Sequence, residues 1–335
     1  MPVKIKVVQY GCGPIGCSIA RLAATKATID IVGAIDLVNV GLDLGEVADL
    51  DRNLGILISQ DAETVLRETK PDVVLHATSS SVSAIYAQLE QIVRAGANVI
   101  SSSEELSYPY RKQSDLAKKL DELAKKHQVT VVATGVNPGF LMDTWPLAMT
   151  AVCQDVQQIR AVRMQDASAR RIPFQEKIGA GKTLEEFDKL VKAGTLRHVG
   201  LTESIAMIAG GLGWELDDIT ETIEPVVAES EVYSDFVTVR PGQAAGVRQT
   251  GHGWKDGQEL ITLEFQACLG APESYDAVYI TGTPDMEVVI KGGTHGDIAT
   301  AAMIVNTIPR VMEAEPGLLT MKDLPIVAAY GTRNV

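Results

Sequence analysis

The chain has 335 residues, 46% of them hydrophobic and 22% charged, with a formal net charge of −13. That length exceeds the comfortable size of one hydrophobic core and points to two domains, while the composition suits a folded globular protein with little disorder. The acidic balance argues against nucleic acid or an anionic membrane as partner, since either needs a concentrated basic face.

No segment approaches the roughly 18 uninterrupted apolar residues of a membrane span. The N-terminus runs straight into an apolar strand with nothing resembling a secretory leader. Cys12, Cys17, Cys153 and Cys268 are scattered, and the five histidines share no metal-ligand spacing with them or with each other. A reduced, cytoplasmic protein without a metal site is the expectation.

The first informative element is the apolar run Ile5 to Val8, which enters the turn Gly11-Cys12-Gly13-Pro14-Ile15-Gly16. An amphipathic helix follows through Arg21, and a second strand, Ile29 to Ile35, ends on Asp36. This strand, turn, helix and strand order is that of a dinucleotide-binding unit. Gly11 permits the tight turn, Gly13 lets the backbone approach a pyrophosphate, Gly16 lets helix and strand pack closely, and the helix start offers free amides to phosphate. A carboxylate at Asp36 accepts from ribose hydroxyls and repels a 2′-phosphate, and the next cation along the chain is Arg52. NAD is therefore favoured, with NADP as the alternative.

Asp72 to His76, Asn98 to Ser102 and Val129 to Thr134 read as buried parallel strands. Helical stretches lie between them near Ala62 to Thr69, Val82 to Ala95 and Lys112 to Lys126. The class is α/β: a Rossmann-type doubly wound parallel sheet, in which ligands bind beyond the carboxyl ends of the strands. Ala77, Thr78 and Ser79, and Ser101 through Glu105, with Ser103 among them, should face the cofactor.

At Asn137-Pro138-Gly139 the rhythm changes, and a helix is expected from about Leu141 to Ala151. Beyond it, longer alternating runs suggest a second, α+β domain on a mostly antiparallel sheet: Gln158 to Ala167, Ile219 to Tyr233, Gly246 to His252, Glu259 to Cys268, Ala277 to Thr283 and Met286 to Ile290. Helices near Leu184 to Ala193 and Leu201 to Ala209 interrupt it. An apolar helix, Asp297 to Ile308, suits a buried element returning to the first domain. The expected division is residues 1–140 for the dinucleotide, 141–293 for substrate and dimerisation, and 294–335 as the returning helix and tail.

Nicotinamide chemistry needs a side chain near the ring to manage a proton or a developing charge. Glu104 and Glu105 follow the fourth strand at that edge, where a partly desolvated carboxylate suits a base working near neutral pH; the competing role is to complement a helix dipole. Glu104 is preferred because it leaves the strand first. Phe140, Trp145 and Phe174 are candidates for an apolar pocket wall, with core packing as the alternative for each. His295 either caps the returning helix or reaches the cleft, and Asn306 either contacts the nicotinamide carboxamide or caps a backbone group.

The segments Gly11 to Gly16, Ala34-Ile35-Asp36, His76-Ala77-Thr78-Ser79, Ser103-Glu104-Glu105-Leu106-Ser107-Tyr108-Pro109, Gly135-Val136-Asn137-Pro138-Gly139-Phe140 and Gly296 to Met303 together resemble the 2,4-diaminopentanoate dehydrogenases and the native amine dehydrogenases. Both belong to the dihydrodipicolinate reductase superfamily. The resemblance implies reversible oxidation of an amine by NAD to an imine, which hydrolyses to a ketone or aldehyde and ammonia. It also implies that Glu104 is the catalytic group and that the protein is a homodimer. The double-histidine motif of dihydrodipicolinate reductase is absent; Ser168-Ala169-Arg170-Arg171 stands in that region, which argues against dicarboxylate reduction. The alternatives are a carbonyl or hydroxy substrate on the same fold, a diamino acid as substrate, or a cofactor sensor without catalysis.

Overall fold

A computed structural model describes residues 4–331. The chain divides into two compact units, one formed by Met1–Phe140 with His295–Val335 and the other by Leu141–Thr294.

The first unit starts with β1 (Ile5–Tyr10), α1 (Pro14–Ala23), β2 (Ile29–Ile35), α2 (Leu44–Val47), β3 (Ile58–Ser59) and α3 (Ala62–Thr69). It continues with β4 (Val73–His76), α4 (Val82–Arg94), β5 (Asn98–Ser101), α5 (Ser114–His127) and β6 (Thr130–Ala133). Strands β4 and β6 are buried at every position, as expected where helices cover both faces of a parallel sheet. The α5 lysines face outward while Ala117, Leu120 and Ala124 are buried at helical spacing.

The second unit begins with α6 (Thr144–Thr150), shorter than the helix expected from residue 141. The chain first passes through turns, and the Asp143 side chain then caps the helix by accepting from the Thr144 amide at 2.6 Å. Strand β7 (Asp155–Asp166) leads to α7 (Ile172–Lys177), α8 (Leu184–Lys192) and α9 (Leu201–Leu212). Helix α7 is not among the helices expected from the sequence. Thr183 and Glu186 form a reciprocal capping box that opens α8, which gives Gly181-Lys182-Thr183 a structural task.

Strands β8 (Asp218–Val227), β9 (Val232–Tyr233), β10 (Thr238–Val239), β11 (Ala244–Lys255), β12 (Gln258–Cys268), β13 (Tyr275–Thr283) and β14 (Met286–Lys291) complete this unit. The single long strand expected over Ile219 to Tyr233 is broken at Ala228, whose amide bonds to Gln243 and whose carbonyl accepts from Gly242. The main sheet runs β14-β13-β7-β12-β11-β8, and only the β7–β12 pair is parallel. Pro225 lies in β8, an edge strand, where a missing amide is tolerated.

The chain then returns to the first unit as α10 (Gly296–Met312) and β15 (Gly317–Leu319). Helix α10 runs through Pro309 rather than stopping at Ile308, because Val311 continues the buried stripe of Ile304 and Ile308. Strand β15 pairs in parallel with β6, giving a seven-stranded parallel sheet ordered β15-β6-β5-β4-β1-β2-β3. Three residues are too few for a periodic signal, so this strand was silent in the sequence.

Candidate active site

The glycine turn joins β1 to α1 under close steric constraint. Gly11 has φ +91°, and a Cβ there would lie 2.2 Å from the Ala77 carbonyl oxygen; a Cβ on Gly16 would lie 1.8 Å from the Gly11 carbonyl oxygen. Gly13 is open, with nothing within 4 Å of its would-be Cβ, and it forms the N-cap of α1 with Pro14 as the first helical residue. Ile15 is half-buried behind them. The turn thus packs tightly against the protein on one side and offers bare backbone and the amides of a helix start on the other, the arrangement that accommodates a pyrophosphate.

Asp36 leaves the end of β2 and turns toward that site. One carboxylate oxygen accepts from the Cys12 amide inside the turn and the other from the Val38 amide at 2.7 Å, so the acid is fixed beside the glycines. Arg52 is not its neighbour. It lines a cleft with Lys4, Lys26 and residues 29–31, at the opposite end of β2. The six residues from Asp30 to Asp36 span about 20 Å in a strand.

At the carboxyl ends of β4 and β5 a closed polar network fixes the next loops. His76 Nδ1 meets Ser101 Oγ at 2.9 Å, and Nε2 meets Gln88 Oε1 at 2.8 Å and Thr78 Oγ1 at 3.0 Å. Thr78 Oγ1 donates to Gln88 Oε1 at 2.7 Å, and Ser101 Oγ accepts from the Ser103 amide at 3.1 Å. Burial pushes the His76 imidazole down to about 4, so the ring is neutral. Ala77 is tied back by its amide to the Tyr10 carbonyl, and Ser79 Oγ accepts from the Ser81 amide. Ser103 is almost fully buried, yet its hydroxyl has no hydrogen-bond partner among the described residues.

The two adjacent acids separate in role. Glu105 Oε2 accepts from the Val82 amide at 2.9 Å and so serves the start of α4, whose own N-cap Ser81 makes no side-chain capping bond. Glu104 is half-buried, and its carboxylate makes no hydrogen bond or ion pair among the described residues; its backbone carbonyl accepts from the amide and hydroxyl of Ser107.

The remaining candidates lie as follows. Phe140 is half-buried at the end of the first unit's continuous stretch. His295 is the exposed N-cap residue of α10; its backbone carbonyl receives the Ala299 amide, while its side chain makes no capping bond. Thr300 Oγ1 accepts from the Val136 amide, which follows the end of β6, whereas Met312 Sδ lies 3.9 Å from Asn98 Nδ2 at the start of β5. Asn306 is six residues from each, about 9 Å along the helix, and so sits midway between the two edges of the sheet rather than at the carboxyl edge. Its Oδ1 is shielded and unpartnered, and no backbone-capping bond to it is present among the described residues.

In the second unit Trp145 is half-buried on α6, and the Phe174 ring carries the Arg170 guanidinium at 4.2 Å. Sequence reading missed a buried polar cluster here. Arg163 Nη1 bonds Asp276 Oδ1 at 2.7 Å, with both side chains about 97% buried or more, and Nη2 donates to the Thr294 carbonyl at 2.8 Å. Burial pulls the Arg163 guanidinium down, against the opposing charge of Asp276. Arg197 bonds Glu221 through Nη2, while its Nε is shielded and has no partner among the described residues. His198 stacks on Phe265 and its Nε2 is likewise shielded without a partner among the described residues. Burial pushes that imidazole down to about 3, helped by the charges of Lys177, Arg163 and Arg197. The only sequence signal for this cluster was a basic residue at an inward-facing position of an alternating strand.

Comparison with known proteins agrees with the resemblance read from the motifs. Residues 140–334 match the family model of the 2,4-diaminopentanoate dehydrogenase C-terminal domain. The chain is 36% identical to a 2,4-diaminopentanoate dehydrogenase of Acetoanaerobium sticklandii, over 97% of this chain and 95% of that protein. It is 26% identical to an amine dehydrogenase of Streptomyces virginiae over 98% of each. In fold it is similar to the solved amine dehydrogenase of Mycobacterium smegmatis, with a TM-score of 0.86 at 24% identity, covering 98% of both chains. A dinucleotide-type glycine turn, an acid at the end of the second strand and a family match spanning the second unit converge, and the chain belongs to the 2,4-diaminopentanoate dehydrogenase family.

Proposed function

We propose that the protein catalyses reversible, NAD-dependent oxidative deamination of a small primary amine to a ketone or aldehyde and ammonia, with Glu104 as the acid–base group. The observation that carries this reading is the unpartnered, half-buried carboxylate of Glu104 next to Ser103, on a loop whose other acid, Glu105, is consumed in capping α4. Glu104 takes a proton from the substrate ammonium so that the nitrogen lone pair is free, passes that proton to solvent, faces the positive charge of the iminium as a carboxylate again, and then accepts a proton from the water that adds to the imine carbon. Bound NAD supplies the hydride acceptor. Gly11, Gly13, Pro14, Ile15 and Gly16 receive its pyrophosphate, Asp36 its adenosine ribose, and Ala77, Thr78, Ser79 and Ser103 flank the path toward its nicotinamide.

NAD is preferred over NADP because the Asp36 carboxylate is locked beside the turn, while Arg52 belongs to the opposite end of β2. A homodimer working in the cytoplasm is the assembly and location consistent with the family. Within this chemistry, an amine that also bears a carboxylate is favoured by Arg197 Nε, which has no partner among the described residues and is a donor for which an anionic oxygen is the natural complement. Phe140, Trp145, Phe174 and His295 are the proposed pocket residues.

The test is formation of NADH from a panel of short amines and diamino acids at alkaline pH, with reversal by ketones and high ammonia. Reduction of ketones without ammonia would replace amine chemistry with alcohol chemistry. Tight binding of NADH with no turnover of any amine would reduce the protein to a cofactor sensor.

A further inference from the structure

The loop after β6 holds an amide side chain that the chemistry above leaves unused. Its backbone is fixed from three directions: the Thr134 amide bonds the Ser101 carbonyl at 2.9 Å, the Val136 amide bonds Thr300 Oγ1 at 3.3 Å, and Gly139, at φ +121°, folds so closely on the loop start that a Cβ there would lie 2.4 Å from the Gly135 nitrogen. Within this rigid frame both polar atoms of Asn137, Nδ2 and Oδ1, are shielded from solvent and have no hydrogen-bond partner among the described residues. A whole primary amide left unpaired in this way forgoes a donor and an acceptor together, which buried side chains rarely do. The bond from Thr134 to Ser101 sets this loop beside the one that carries Ser103 and Glu104, at the carboxyl edge where nicotinamide chemistry is expected.

We propose that Asn137 binds the carboxamide of the nicotinamide ring, donating from Nδ2 to its oxygen and accepting at Oδ1 from its NH2, and so orients the ring next to Glu104. The inference rests on the NAD-dependent reading. It moves the carboxamide contact from Asn306 to Asn137. The reason is geometric: Asn306 stands midway down α10, whereas Asn137 stands on a loop at the carboxyl edge. A primary carboxamide is the complement of a primary amide, because each supplies what the other lacks on adjacent atoms.

Calorimetric titrations test this without turnover, using NADH, its reduced 3-acetylpyridine analogue, in which a methyl group replaces the amide NH2, and ADP-ribose, which lacks the ring. The unmodified protein should bind NADH about tenfold more tightly than the analogue. Asn137→Ala should bind both alike, with ADP-ribose affinity kept. The near-isosteric Asn137→Asp should weaken NADH binding yet widen its advantage over the analogue, since a carboxylate accepts from NH2 and repels the acetyl oxygen. An NADH-to-analogue ratio equal in all three proteins, with ADP-ribose bound normally, would overturn the assignment. Failure of the unmodified protein to bind ADP-ribose would instead overturn the cofactor reading on which it stands.

Discussion

The Glu105 carboxylate accepts a hydrogen bond from the Val82 amide at 2.9 Å, and that bond divides two chemically identical neighbours. Glu105 is held by the start of α4; Glu104 has no such tie. Glu104→Gln should therefore lower kcat about a hundredfold or more with NADH affinity unchanged. Glu105→Gln should leave kcat within a few-fold and cost about 1 kcal/mol of stability, read by thermal or denaturant unfolding. The reverse pattern would exchange the two assignments.

Asp36 both discriminates and supports. Because it accepts from the Cys12 and Val38 amides, Asp36→Ser should raise the NADP-to-NAD ratio of kcat/KM by at least about tenfold while also weakening NAD itself. An unchanged ratio in steady-state assays with both cofactors would remove the ribose role.

His76 makes the fold sensitive to acid. Burial sets its folded value at about 4, below the unfolded value of about 6.5, so its contribution is fully present above the unfolded value and is lost as pH falls through the folded one. Denaturant unfolding between those limits should show stability falling by about 1.4 kcal/mol per pH unit from this group. His76→Asn should flatten that slope at the cost of lower stability at neutral pH.

Arg163 and Asp276 are buried together, so removing one charge strands the other. Asp276→Ala should cost about 3–5 kcal/mol, read as a lowered unfolding midpoint, and Arg163→Met combined with Asp276→Leu should recover much of it. Equal losses in the single and double variants would show that the hydrogen bonds to Thr294, rather than the ion pair, hold this region.

The dinucleotide-binding architecture was legible because local rules agree with the fold there. A glycine turn whose spacing suits a pyrophosphate, fully apolar strands and an acid at the end of β2 point to one answer, and the motifs beyond them carried the family. The break at Ala228 was missed because it depends on pairing with Gln243 and Gly242, which tertiary structure brings there, whereas the late start of the helix at Thr144 follows from the local cap by Asp143. The bond that engages Glu105 was also beyond the sequence, since its donor is the Val82 amide, more than twenty positions away. Asn137 stood in view as part of a turn motif, but only the absence of a partner around a closed loop gives its side chain meaning.

Strand β15, paired to β6, has a consequence for how the protein is made. The sheet that carries the glycine turn gains its outermost strand, and the helix α10 that packs on it, from about the final eighth of the polypeptide. During synthesis on a ribosome the N-terminal unit must wait, with the flank of β6 uncovered, until the whole intervening unit has emerged. A stop codon placed after Thr294 should accordingly yield an aggregation-prone product rather than a working nucleotide-binding fragment.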